Sequence, residues 1–289
     1  MPQFRQKFYK RYIFYIKNSG YYRTRVRWTR SIMTNRRAKL AVLIDPNKGE
    51  ATERMYGALK EILTEIKTPS QLPLEIWVGD SHEIFKGVHA YLRRLNRLDI
   101  DLPPIVIFPG HPLQISSYAD FIQMPTLLNT FRFSIKVVLK LGKKYHWLFK
   151  WVRRLMFRDF PKDRKYGYMV LSPESTVGRK LLAKTLSDEQ AYEEITRNWR
   201  KYWEMLYIEG GSGNFENTVA GRLELVNRTA GFVHANNAKL ITGGGIRTKE
   251  QIQQLVQAGA DIVVVSSVLE RSDAPKELMK QFLEAVSEE

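Results

Sequence analysis

Short runs of β-forming residues alternate with stretches of helical spacing along this chain, and this alternation limits the fold more than any other feature. Turn residues bound eight such runs, which we predict to be strands: Leu40–Ile44, Leu74–Val78, Pro104–Phe108, Asp120–Met124, Gly167–Leu171, Met205–Ile208, Lys239–Thr242 and Asp261–Val265. Most runs are apolar throughout, as is typical of strands buried on both faces of a parallel sheet. Helical spacing lies between them, at Glu50–Ile66, Ile84–Leu98, Asp188–Trp203, Thr248–Ala258 and Ala274–Val286.

Eight strand-then-helix units predict a (β/α)8 TIM barrel, an α/β fold, over residues 38–289. The third unit is modified, because the stretch PGHPLQISSYAD after Phe108 is too short and too loop-like for a full helix. A doubly wound open sheet shows the same alternation, but no G-x-G-x-x-G follows the first strand, and this disfavours the open sheet.

Composition argues against several classes of protein. The chain has no cysteine, which rules out disulfides and thiolate metal ligands and fits a reducing compartment such as the cytoplasm. Its five histidines are scattered, so a transition-metal enzyme is not expected. No uncharged apolar run reaches the roughly eighteen residues that would span a bilayer, and the charged N-terminus is unlike a signal peptide.

The net charge of +16 is concentrated in two segments. Residues 1–37 carry eleven Lys and Arg and no acidic residue, while residues 131–167 carry twelve Lys and Arg and two Asp, which leaves −5 for the rest. We therefore predict a basic aromatic N-terminal extension at 1–37 and a long basic insertion at about 131–166, between strands four and five.

The insertion has the pattern of an amphipathic helix. Large apolar and aromatic side chains separate cations that recur every fourth residue, namely Arg132, Lys136, Lys140 and Lys144, and then Lys150, Arg154 and Arg158. This pattern favours an anionic membrane surface, and hence a peripherally membrane-associated protein. Packing against the barrel or another subunit is one alternative, and single-stranded nucleic acid is a less favoured one.

The chemistry of a TIM barrel lies in the loops that follow its strands. After strand seven, Gly244 and Gly245 allow a phosphate close to the backbone, and Thr248 begins a capping box with Gln251. After strand eight, Ser266 and Ser267 supply donors at the start of another helix. Paired loops of this kind form the common phosphate site of the fold. A tight turn without a ligand is the alternative for the glycines.

Hard oxygen ligands follow the first two strands. Asp45 ends strand one, and Asp80 and Ser81 follow strand two. These three side chains suit Mg²⁺, which usually binds few protein oxygens and is also coordinated by oxygens of the substrate phosphates. The alternative for Asp45 is that it caps the next helix.

A carboxylate also ends strand six. Glu209 precedes two glycines, and its position opposite the phosphate loops suits hydrogen bonding to substrate hydroxyls or removal of a proton from one. Tyr207 lies two residues earlier and therefore points to the same side of the strand. The alternative is an ion pair between Glu209 and a Lys or Arg in the core.

Several motifs in this order resemble the geranylgeranylglyceryl phosphate synthase family, including its heptaprenyl-transferring bacterial relatives. They are LAVLIDPNK, WVGDS, IVIFPGHPLQIS, ADFIQMPTLLNT, YMVLSPESTVGR, YIEGGSGN, ITGGGIRT and AGADIVVVSS, between residue 40 and about 270. The chain departs from the family at Asp80 and Ser266, where glycine is usual, and at the basic insertion.

The resemblance implies an Mg²⁺-dependent prenyltransferase that joins a prenyl diphosphate, with geranylgeranyl diphosphate as the leading candidate, to the 3-hydroxyl of sn-glycerol 1-phosphate. It implies Mg²⁺ at Asp45 and Ser81, with Asp80 as a further candidate ligand, and Lys48 beside the diphosphate. It also implies that sn-glycerol 1-phosphate is held by Tyr207, Ile208, Glu209, Gly210, Gly211, Ser212, Gly213, Gly244, Gly245, Ser266 and Ser267, with Glu209 and Tyr207 acting in catalysis. Relatives are commonly homo-oligomers. The alternatives are another phosphate-binding barrel enzyme and an inactive barrel that binds membrane or RNA.

Overall fold

The computed structural model describes residues 37–79, 85–110, 114, 116–130, 161–211 and 218–288, without the side chains of residues 85 and 86. Most of the predicted N-terminal extension and residues 131–160 of the predicted insertion lie outside the described residues. The same holds for Asp80, Ser81, Ser212 and Gly213 among the predicted site residues.

Eight parallel strands close into a barrel in chain order, because the last strand pairs with the first. They are β1 Lys39–Ile44, β2 Leu74–Val78, β3 Ile105–Ile107, β4 Phe121–Leu127, β5 Lys162–Val170, β6 Met205–Glu209, β7 Lys239–Gly243 and β8 Ile262–Val265. The predicted TIM barrel is confirmed, and the open sheet is wrong.

Helices follow most strands, as the sequence predicts. They are α1 Glu50–Glu65, α2 Phe85–Asn96, α3 Thr176–Leu181, α4 Asp188–Asn198, α5 Leu223–Ala235, α6 Lys249–Gln257, α7 Ser267–Arg271 and α8 Pro275–Ala285. The capping box of Thr248 and Gln251 at the start of α6 is confirmed. The prediction did not include α3, α5 and α7, and the described residues between β3 and β4 contain no helix. Within the described part of the chain, no helix is long and apolar enough to cross a membrane.

Alternate residues of each strand face two separate apolar layers. Small and aromatic side chains such as Ala41, Trp77, Tyr166 and Tyr207 fill the barrel interior. The other set, with Leu40, Ile76, Leu206 and Leu240 among its members, packs against the helices outside. The strands are therefore buried on both faces, which explains their continuous apolar sequences.

An ion pair lies inside the barrel near the beginnings of its strands. Glu75 of β2 and Arg164 of β5 are both buried, and Nη1 of Arg164 lies 2.7 Å from Oε2 of Glu75. Trp77 donates a hydrogen bond to the same carboxylate. Since β2 and β5 are not neighbours, the pair spans the barrel interior. Strand β5 begins at Lys162 rather than at the predicted Gly167, so the last residues of the predicted insertion belong to this strand.

The charge of Arg164 decides the ionisation of Glu75. Burial alone would raise the pKa of this carboxyl, but the positive charge and hydrogen bonds of Arg164 outweigh burial and lower the pKa to about 2. Glu75 is therefore ionised in the folded protein at every pH at which the protein is expected to work.

Replacing Glu75 with Gln should lower the free energy of unfolding by about 3 kcal/mol at neutral pH, because Arg164 would keep a buried charge without its partner. The wild type should also lose more stability than the variant as pH falls from 4.5 towards 2, where Glu75 takes up a proton on unfolding. Urea denaturation across this pH range measures both effects.

The matched control is Glu53→Gln, which breaks an ion pair between Glu53 and Arg94 whose side chains are 60% and 43% exposed. Its loss should stay below about 1 kcal/mol. Equal losses in the two variants would show that the Glu75–Arg164 pair does not stabilise the barrel.

Candidate active site

A cavity of about 140 Å³ opens at the carboxyl ends of the strands. This volume is smaller than the roughly 300–1,000 Å³ of pockets for drug-sized ligands, so the described walls suit a small ligand. The lining residues come from the ends of β1 and β5 to β8 and the loops after them: Leu43, Ser175, Thr176, Val177, Tyr207, Glu209, Gly211, Gly244, Gly245, Ile246, Val264, Val265, Ser266 and Ser267.

Tyr207 and Glu209 form the polar centre of this cavity. The hydroxyl of Tyr207 donates a hydrogen bond of 2.5 Å to Oε2 of Glu209, and the backbone N–H of Gly211 donates one of 3.3 Å to Oε1. Tyr207 and Glu209 are two residues apart on one strand, so both side chains point into the barrel. The carboxylate is thus held in place by uncharged donors.

Aromatic rings hold Tyr207 in position from several sides. Its ring centroid lies 5.1 Å from that of Tyr168, 6.1 Å from that of Trp77 and 6.1 Å from that of Phe108. These rings come from β5, β2 and the end of β3. Because the ring of Tyr207 cannot turn without displacing them, its hydroxyl stays directed at Glu209.

Burial governs the ionisation of the pair. It raises the pKa of Glu209 above the ordinary value for a carboxyl, and the hydrogen bonds from Tyr207 and Gly211 offset only part of this increase. Burial and the nearby carboxylate of Glu209 raise the pKa of Tyr207 well above its ordinary value, so its hydroxyl stays protonated and remains a donor. Among the described residues Glu209 has no ion pair with Lys or Arg, so the predicted alternative of a core ion pair is not found there.

Two glycines of β7 and the loop after it make room for this pair. A Cβ atom at Gly243 would lie 2.5 Å from the hydroxyl oxygen of Tyr207, and one at Gly244 would lie 2.5 Å from Oε1 of Glu209. Gly244 also has a φ of +94°, which favours glycine. We predicted that Gly244 and Gly245 allow a phosphate close to the backbone; what the structure shows is that Gly243 and Gly244 leave space for Tyr207 and Glu209.

The structure brings together many of the predicted substrate-binding residues but not all of them. Ile208 points outward into the layer beneath the helices, so only its backbone could meet a ligand. Gly210 donates its N–H to the carbonyl of Gly243 and joins β6 to β7. Lys48 lies beyond the cavity wall, where its ammonium contacts Glu270 at 2.6 Å.

Asp45 has the position expected of a metal ligand, at the end of β1. Its side chain is buried, and its Oδ1 accepts a hydrogen bond of 3.0 Å from the backbone of Asn47. The N-cap residue of α1 is Gly49, so Asp45 does not occupy the capping position. Within the described ranges, no three His, Cys, Asp or Glu side chains could together hold a metal ion. Mg²⁺ commonly needs only one or two protein carboxylates, so Asp45 fits such a site.

Sequence reasoning missed the wall contributed by the loop after β5. Ser175 caps α3 by accepting a hydrogen bond of 2.9 Å from Gly178, and Thr176 and Val177 begin that helix. A Cβ atom at Gly211 would lie 2.8 Å from that of Ser175, so the two loops pack closely. The signal was available, because Ser175 lies a few residues after a predicted strand, where a barrel places its functional loops.

A closed (β/α)8 barrel with a half-buried carboxylate in a cavity at its carboxyl end defines an enzyme of the TIM-barrel class. The model of the PcrB family matches residues 33–286, and the chain belongs to this family.

Relatives of this chain include enzymes that share a single activity. The geranylgeranylglyceryl phosphate synthase of Methanothermobacter thermautotrophicus is 31% identical over 198 residues, which are 67% of this chain and 74% of that protein. The synthase of Thermococcus gammatolerans is 30% identical over 251 residues, 84% of this chain and 88% of that protein. The chain is therefore a prenyltransferase.

Solved structures agree with this assignment. (S)-3-O-geranylgeranylglyceryl phosphate synthase of Thermoplasma acidophilum, in complex with its substrate sn-glycerol-1-phosphate, has a TM-score of 0.67 and 26% identity. The match covers 87% of this chain and 94% of that one. The enzyme of Thermoplasma volcanium, with a TM-score of 0.68 and 23% identity over 88% and 94% of the two chains, supports the fold.

Replacing Gly244 with Ala should lower the free energy of unfolding by more than about 1 kcal/mol, because Ala is strained at positive φ and its methyl group would displace Glu209. The control is Gly57→Ala in α1, where an added methyl group meets nothing within 4 Å and should stabilise by up to about 1 kcal/mol. Denaturant unfolding measures both. Equal stability of the two variants would contradict the proposed steric role of Gly244.

Proposed function

We propose that this protein transfers the prenyl group of a prenyl diphosphate, with geranylgeranyl diphosphate as its donor, to the 3-hydroxyl of sn-glycerol 1-phosphate. The observation that carries this proposal is the carboxylate of Glu209, which faces a small cavity and accepts hydrogen bonds from two uncharged donors among the described residues. The substrate named for the Thermoplasma acidophilum enzyme, together with family membership, supports the choice of acceptor.

The chemistry requires a base near the acceptor hydroxyl. A C–O bond forms between the glycerol oxygen and the allylic carbon, the bond from that carbon to diphosphate breaks, and the hydroxyl proton passes to Glu209. A raised pKa suits this role, because the carboxylate binds a proton more tightly than an exposed one does. Tyr207 keeps the carboxylate oriented and is not required to lose its own proton.

The phosphate of the acceptor would lie against the loops after β7 and β8. Gly244 and Gly245 expose backbone there, and Ser266 and Ser267 line the same cavity. We assign these four residues, with Ser212 and Gly213, to phosphate binding; Ser266 would contribute its backbone N–H, because its hydroxyl donates to Glu270. An arrangement of this kind is the usual phosphate site of a TIM barrel.

We further propose that Asp45, with Asp80 and Ser81, holds Mg²⁺. The ion would neutralise charge on the departing diphosphate, which is the chemistry that an allylic ionisation requires. Asp45 contributes a buried carboxylate that is already held by the backbone of Asn47, so it would meet the ion with little further loss of side-chain freedom.

The two basic segments support a location at the membrane. We propose that residues 1–37 and the insertion within the barrel domain at 38–289 attract a cytoplasmic protein to anionic lipid, where a long prenyl donor and a lipid product reside. We also propose that the protein is a homo-oligomer. Sedimentation with vesicles of anionic and of neutral lipid, and light scattering, test these two proposals.

Incubation with MgCl₂, radiolabelled sn-glycerol 1-phosphate and prenyl diphosphates of increasing length tests the activity. Label should enter the organic phase, most strongly with geranylgeranyl diphosphate, and EDTA should prevent the transfer. Glu209→Gln should reduce turnover at least about 100-fold, because it removes the base. Its stability should change little, since the buried charge is lost as well.

The matched control is Glu204→Gln, which removes an exposed carboxylate just before the start of the same strand and should leave turnover unchanged. Full activity of Glu209→Gln would remove Glu209 from the mechanism. Absence of label with every donor would reject the proposed transferase reaction.

The acid limb of kcat/KM should lie above the ordinary carboxyl range, because Glu209 must be ionised and its pKa is raised. Tyr207→Phe should move this limb to higher pH. In the wild type the hydrogen bond from Tyr207 stabilises the ionised form of Glu209, and the variant lacks that bond. Tyr168→Phe is the control: its buried hydroxyl has no hydrogen-bond partner among the described residues. An unshifted limb in Tyr207→Phe would show that Glu209 does not set it.

A further inference from the structure

Glu270 is a buried carboxylate that sequence reasoning did not single out. It lies in α7, directly after β8, and is 9% exposed. Oε2 accepts a hydrogen bond of 2.6 Å from the ammonium of Lys48, and Oε1 accepts one of 3.1 Å from the hydroxyl of Ser266. Each oxygen of this carboxylate therefore has a partner on a different loop.

These contacts join the two strands that close the barrel. Lys48 belongs to the loop after β1 and Ser266 directly follows β8, and the two strands pair with each other. Arg54 of α1 also donates a hydrogen bond of 2.9 Å to the backbone carbonyl of Glu270. Because Ser266 lines the cavity, Glu270 connects the cavity wall to a lysine just beyond it.

We infer that Glu270 is a positioning residue that holds the Lys48 ammonium beside the cavity, where its charge meets the diphosphate of the prenyl donor. This inference rests on the proposed function. Lys48 is 42% exposed, and a lysine side chain with that freedom loses conformational entropy when it binds an anion. Anchoring by Glu270 removes part of that cost in advance.

The ammonium of Lys48 has enough N–H donors to bind Glu270 and the diphosphate at the same time. A lysine ammonium has three N–H groups, so the contact with Glu270 leaves two for diphosphate oxygens. Ser266 supports the arrangement, because its hydroxyl hydrogen bond holds the other oxygen of Glu270. The charge of Glu270 acts in the opposite direction, since a carboxylate near an anion site weakens binding by repulsion. The two effects therefore predict opposite results when Glu270 loses its charge.

Calorimetric titration with inorganic pyrophosphate, in the presence of MgCl₂, distinguishes the anchoring of Lys48 from the repulsion by Glu270. It compares the wild type with Lys48→Met, Glu270→Gln and the double variant. Lys48→Met should weaken binding about tenfold, the usual loss for one charge-assisted contact. Glu270→Gln should also weaken it, and the double variant should bind no more weakly than Lys48→Met, because Glu270 acts through the lysine.

Tighter or unchanged binding by Glu270→Gln would overturn the inference, as would additive losses in the double variant. Glu53→Gln is the charge control, because it removes an exposed carboxylate from the neighbouring helix and should not weaken binding. Denaturation curves for all variants show whether a loss reflects unfolding.

Steady-state kinetics distinguish this inference from the proposed reaction. Glu270→Gln should raise the KM for the prenyl diphosphate and leave that for sn-glycerol 1-phosphate nearly unchanged. If the wild type transfers no label, the proposed reaction fails, but the pyrophosphate titration still decides the role of Glu270.

Discussion

The hydrogen bond from Tyr207 to Glu209 is the interaction on which the rest of the site depends. A carboxylate at the end of a buried strand is costly unless its oxygens are satisfied, and here an aromatic hydroxyl and one backbone N–H satisfy them. The surrounding sequence is constrained by this pair, because Gly243 and Gly244 leave the space it occupies and aromatic rings of neighbouring strands fix the tyrosine.

Two carboxylates inside the barrel, at different levels, show how environment sets function. Glu75 lies against Arg164, and its pKa falls to about 2, so it serves as a permanent charge that ties two distant strands together. Among the residues that the structure describes, the hydrogen-bond donors to Glu209 are uncharged, and its pKa rises. A residue that must exchange a proton near neutral pH needs the second environment. The same residue type therefore stabilises one part of the barrel and is suited to chemistry in another.

The sequence predicted best those features that depend on residues close to one another in the chain. Strands buried on both faces are apolar throughout, so their positions were predicted closely, as was the capping box at Thr248. The start of β5 was missed because Arg164 belongs to a run of charges, and its buried ionic partner Glu75 is 89 residues away. Glu270 was missed for the same reason, since its partner Lys48 is 222 residues distant.

Charge balance at the carboxyl end of the barrel explains how acidic residues and anionic substrates can share it. Asp45, Glu209 and Glu270 all lie there, and three bare carboxylates would repel a phosphate and a diphosphate. Burial favours the neutral form of Glu209, and Lys48 neutralises Glu270. In the proposed reaction Asp45 would contact Mg²⁺ in addition to the hydrogen bond that it accepts from the backbone of Asn47. Glu209 and Glu270 are thus compensated by different means, and in the proposed reaction Glu209 is the residue that takes up the proton.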